Sequence, residues 1–141
     1  MKALFLSFIF VVTELCAAPK VVVSLGPVYS IVCGLTAGIT KPQLLMPPNA
    51  SHHDYSPTPK NIIDVKQADL VVWVAAGLEE FMPNLIEKFK KHNIEFGAIP
   101  GIRKIADSHH HDEYDPHLWL DPGNCLLLVD AVSAHEGSPS E

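Results

Sequence analysis

Residues 108–122 read Ser-His-His-His-Asp-Glu-Tyr-Asp-Pro-His-Leu-Trp-Leu-Asp-Pro and hold four of the chain's eight histidines. Imidazole is the commonest protein ligand for borderline metals such as zinc, and carboxylates add charge that attracts a cation. Two more histidines, His52 and His53, are adjacent in a polar loop, Asn49-Ala50-Ser51-His52-His53-Asp54-Tyr55. The chemistry these residue types suggest is metal binding, and it depends on His53 and His117 converging in space.

Each group also has a plainer reading. Neighbouring side chains in extended backbone point in opposite directions, so only one of His52 and His53 can easily aim at a site, and a surface pair explains them equally well. Pro47, Pro48 and Pro57 stiffen that loop, which lowers the entropy of holding a ligand in place. His117 stands between Pro116 and Leu118-Trp119-Leu120 and is expected to be partly buried. A lone histidine in such surroundings is more often a satisfied core residue than a ligand. His109, His110 and His111, with Asp112 and Glu113, make a solvated, cation-attracting patch, either an auxiliary metal collector or a mere linker. Three adjacent histidines cannot all coordinate one ion without awkward backbone, so binding there is weak and fades below about pH 6.5, where imidazole protonates.

Catalytic constellations find little support. The chain has no His-Glu-x-x-His helix, no Gly-x-Ser-x-Gly elbow and no Gly-rich phosphate loop. A zinc hydrolase, the catalytic alternative, needs three protein ligands and a base, and only two credible ligands are present. The formal charge of -6 and isoelectric point near 5.7 argue against nucleic acid or anionic membrane as partners.

These residues must be positioned by a chain of 141 residues, room for one ordinary domain. Residues 1–18 read as a secretory signal: Lys2, a largely apolar run over residues 3–12, then Cys16-Ala17-Ala18 before the cleavage point. An alternative would attach lipid at Cys16, but Glu14-Leu15 makes a poor lipobox. Cys33 and Cys125 then remain. Both lie in apolar, helix-like surroundings that suit small buried hydrophobes, and neither is assigned any chemistry.

Strand-like runs at residues 20–25, 43–46, 70–74 and 96–99 alternate with helical stretches. One helix follows Gly26-Pro27, with Gly38 as its stop; one follows Thr58-Pro59. A third spans residues 78–92, kinked at Pro83 or beginning there. Asp121-Pro122 opens a fourth through about residue 132, and residues 133–141 read as a disordered tail. Strand and helix in alternation predict an α/β fold, a four-stranded parallel sheet flanked by helices, with ligands at the carboxyl ends of strands. The loop with His52 and His53 and the segment with His117 both follow strands.

Several of these motifs, in order, resemble a known family. Pro47-Pro48-Asn49-Ala50-Ser51-His52-His53-Asp54-Tyr55, Pro59, Ala68-Asp69-Leu70-Val71-Val72-Trp73-Val74, Gly77-Leu78-Glu79, a His-rich acidic loop and His117-Leu118-Trp119-Leu120-Asp121-Pro122 resemble the zinc/manganese periplasmic solute-binding proteins of ABC importers. The zinc branch is the better match because it bears the His-rich loop. The resemblance implies one lobe of a two-lobed protein, residues 19–121, with the start of the inter-lobe helix over 122–132. It implies metal ligands at His53 and His117, zinc as cargo with manganese as the alternative, and an ABC permease at the inner membrane as partner. It also implies a monomer in the periplasm that is not an enzyme. The family's second lobe supplies further ligands, and its match is missing here, so a truncated chain is expected. A non-transporting remnant or weak zinc buffer is the rival reading.

Overall fold

A computed structural model describes residues 17–50, 55–106 and 114–136. In chain order these form β1 (Val21–Val23), α1 (Gly26–Leu35), β2 (Gln43–Leu44), α2 (Pro59–Gln67), β3 (Leu70–Trp73), α3 (Met82–Phe89), β4 (Asn93–Glu95) and α4 (Pro122–Glu136). Short 3₁₀ turns cover Phe96–Ala98 and Leu118–Leu120. The four strands form one parallel sheet in the order β2-β1-β3-β4.

The pleat explains why β1 and β3 read as unbroken apolar runs. Alternate residues of a strand face opposite sides, so a strand covered on both faces needs apolar side chains throughout. Val21, Val23, Leu70 and Val72 pack on one face with Val28 and Val32 of α1 and Leu128 and Val132 of α4. Val22, Val71 and Trp73 pack on the other with Val65 of α2 and Met82 and Leu85 of α3. The result is the expected α/β layering, helices on both faces of a parallel sheet. Full burial of each such side chain contributes about 1.5–3 kcal/mol.

Local signals set the helix ends. Pro27 sits in the first turn of α1, and Gly38, just beyond its end, takes φ +83°. Thr58 caps α2 through a reciprocal box: its hydroxyl accepts from the Asn61 amide while the Asn61 side chain accepts from the Thr58 amide. α3 begins at Met82 with Pro83 in its first turn, the second of the two arrangements expected for that proline. It ends on Lys90 at φ +50°.

Two expectations need correction. The fourth strand is Asn93–Glu95, three residues before the predicted run, and Phe96–Ala98 is a 3₁₀ turn. An edge strand is chosen by backbone pairing, here Val71 with Asn93 and Trp73 with Glu95. Phe96 owes its apolar character to full burial beyond the strand's end. The last helix also runs on to Glu136, four residues into the stretch expected to be disordered. Val132 is fully buried against the sheet, and the polar residues after it extend an already nucleated helix at little cost.

Candidate metal centre

β1 connects through α1 to β2 on one side, and β3 and β4 lie on the other side of β1. The direction of winding therefore reverses between β1 and β3, and an open α/β sheet has its ligand crevice outside the carboxyl ends of strands at such a point. Here that point is stitched by the chain itself. The Ser24 hydroxyl, just after β1, donates to Glu79, and the Val74 and Ala75 amides, just after β3, donate to the other carboxylate oxygen at 2.8 and 3.1 Å. Glu79 is 0% exposed. Burial pushes its pKa up, against the opposing pull of the three donors, and the Glu95 charge pushes it further up.

His117 belongs to the segment that crosses this carboxyl edge near β3 and β4. The segment is held at four points. Ala106 bridges Tyr114, and the Asp115 amide donates to the Ile105 carbonyl at 2.8 Å. The Tyr114 hydroxyl lies where a Cβ on Gly97 would come within 2.5 Å of it. Leu118 is buried in the core, and the Asn124 side chain ties the Leu118 carbonyl to the Arg103 amide and carbonyl. Arg103 also pairs with Asp121 at 3.2 Å, while the Asp121 carboxylate accepts from the Gly123 amide and so caps the start of α4.

On this frame Asp115 and Trp119 help to orient the His117 imidazole. Its Nδ1 lies 2.6 Å from Asp115 Oδ1, and its backbone N–H donates to the same oxygen at 2.9 Å. The ring also meets Trp119 edge-on, with centroids 5.2 Å apart. The Asp115 carboxyl is held below its usual pKa, first by the His117 backbone N–H and then by its side chain. An ionised carboxylate only accepts, so Nδ1 carries a proton, and when the ring is neutral its lone pair falls on Nε2. A carboxylate fixing the tautomer and aim of an imidazole is the usual outer support of a metal-ligating histidine. The His117 side chain is 40% exposed, half-buried as the sequence suggests.

The other loop is anchored at the carboxyl end of β2. The Tyr55 hydroxyl contacts the Leu45 carbonyl at 3.3 Å and donates to Asn61 at 2.6 Å. Asn61 in turn donates to the Leu45 carbonyl at 3.0 Å, and the Tyr55 ring packs on Phe81. His52, His53, His109, His110, His111, Asp112 and Glu113 lie outside the described residues. Among the described residues, no three His, Cys, Asp or Glu side chains stand together as a ligand set. Cys33 and Cys125 are free thiols in α1 and α4.

Comparison with known proteins decides the family. Residues 21–136 match the family described as zinc-uptake complex component A, periplasmic. The chain belongs to this family. Among curated relatives, the high-affinity zinc uptake system protein ZnuA of Haemophilus ducreyi is 40% identical over 93 residues, covering 65% of this chain and 30% of that protein. ZnuA of Yersinia pestis is 26% identical and covers 85% of this chain and 46% of its own length. The chain thus spans less than half the length of either. Among solved structures, Zn(II)-bound AdcA of Streptococcus pneumoniae superposes with a TM-score of 0.70 at 26% identity, over 84% of this chain and 26% of that one. The periplasmic zinc-binding protein TroA of Treponema pallidum gives 0.72 at 24% identity, over 84% of this chain and 43% of that one, a likeness of fold. The family is one of metal-binding transport components and not an enzyme family.

Asp115 and Glu79 were not singled out as functional from sequence. Asp115 had a signal, an acid two residues before a histidine with proline between them. Glu79 had none beyond its place in the family-like Gly77-Leu78-Glu79.

Proposed function

We propose that this chain captures zinc in the periplasm, as the N-terminal lobe of a solute-binding protein that delivers the ion to an ABC permease. Residues 1–18 are the secretory signal, residues 19–121 the metal-binding lobe, and α4 the start of the link to a second lobe. His53 and His117 are the ligands from this lobe, and His52, His109, His110, His111, Asp112 and Glu113 gather the ion nearby. The protein acts as a monomeric binder and not as an enzyme. The observation behind the reading is the Asp115–His117 pair at the carboxyl edge of the sheet, an imidazole aimed by a carboxylate in a chain of a zinc-uptake family. Imidazole donors favour zinc over manganese, which prefers more oxygen. Competition for zinc against a chromophoric chelator tests the assignment. His53→Ala and His117→Ala should each weaken binding, and affinity unchanged in both would refute it.

A further inference from the structure

Two histidines take no part in the proposed centre. His92 closes the loop before β4, and its carbonyl accepts from the Val71 amide at 3.0 Å, so it stands at the amino end of the sheet. His135 is in the last turn of α4. This helix starts beside the His117 segment and runs about 20 Å to His135 at 1.5 Å per residue. The two imidazoles meet there with ring centroids 6.0 Å apart and planes inclined at 44°. His92 is exposed and His135 half-buried, so an ion can reach the pair from solvent.

We infer that His92 and His135 form a second, two-imidazole site for a divalent ion of zinc's class, at the opposite end of the sheet from His117. The spacing is close to what this chemistry needs. With metal–nitrogen bonds of about 2.0–2.1 Å, each ring centre lies about 3.2 Å from a shared ion, and a tetrahedral angle puts the centres about 5.2 Å apart, so the rings close by about 0.8 Å from their 6.0 Å separation on taking up the ion. Two protein ligands with water completing the shell make a weaker site than a full tetrahedral set. Such an ion would join the end of α4 to the start of β4, two elements that the sequence separates by some forty residues.

The test uses the full-length chain carrying His53→Ala and His117→Ala, so that its result does not depend on the proposed capture centre. Zinc is titrated while the imidazole resonances of His92 and His135 are followed by nuclear magnetic resonance. Both rings should respond along one common binding curve. His92→Ala should abolish the His135 response or shift it to at least about tenfold higher zinc, as should His135→Gln for His92, since even outer-shell losses cost 10–100-fold. The exposure of His92 lets its substitution leave the fold intact. Rings that respond on separate curves, or not at all at millimolar zinc, would show a bare ring contact and overturn the site. Failure of the capture centre would show instead as tight zinc binding that survives His53→Ala and His117→Ala.

Discussion

Glu79 offers the sharpest perturbation, because one carboxylate satisfies three donors from two strands. Replacing it with alanine leaves the Ser24 hydroxyl and the Val74 and Ala75 amides buried without that acceptor. Each buried, unsatisfied group costs about 1–3 kcal/mol. The variant should therefore lose about 3–9 kcal/mol, a large part of the stability of a domain this size. Glu79→Gln behaves differently. Its carbonyl can accept from both amides and its NH₂ can donate to Ser24 Oγ, while the cost of burying a charge disappears. It should lie within about 1.5 kcal/mol of the parent chain. The pH dependence separates the two effects. A carboxyl with a folded-state pKa above its unfolded value of 4.5 binds more protons folded than unfolded. Its contribution to stability therefore falls as pH rises from about 4.5 through the raised folded value. Urea unfolding of the parent chain and Glu79→Gln, followed from pH 4 to 8, should show this component in the parent and not in the variant. Equal losses for alanine and glutamine, or identical pH slopes, would refute the reasoning.

Other outcomes follow from the same contacts. Gly97→Ala places a methyl group 2.5 Å from the Tyr114 hydroxyl and 3.3 Å from the Val74 carbonyl. It should cost about 1–3 kcal/mol in thermal unfolding and, by displacing the 114–118 segment, weaken zinc binding as well. Asp115→Ala removes the acceptor that fixes the His117 tautomer and should raise the zinc Kd about 10–100-fold in chelator competition, with little change in unfolding midpoint. Lys90→Gly relieves a left-handed residue at the end of α3 and should add about 0.5–1 kcal/mol in urea unfolding. Asn61→Ala breaks the capping box and the link from Tyr55 to Leu45. A loss of about 2–3 kcal/mol is expected, read by the same unfolding assay.

How much was legible depended on what each residue faces. β1 and β3 could be read because both of their faces are buried, which forces apolar side chains at every position. β4 could not, since it is an edge strand whose identity lies in backbone pairing and in the Trp73 indole donating to Asn93 at 3.0 Å. Helix starts were marked by Pro27, Pro59, Pro83 and Pro122. The end of α4 was hidden, because the polar residues after Val132 have no apolar period to announce them. At the site, His117 stood out by residue type, whereas Asp115 and Glu79 are acids among sixteen. Only a fold reveals which acid is aimed at a ring and which is sealed under two strands.

The paired stems at Ala106 and Tyr114, backed by the Asn124 clamp on Arg103 and Leu118, have a further consequence. They bring the two ends of the intervening sequence together regardless of what lies between, and doubling that length would cost only about 0.6 kcal/mol in closure entropy. Insertion and deletion there are nearly free of thermodynamic penalty. Lengthening the sequence between the stems thus leaves His117 in its place.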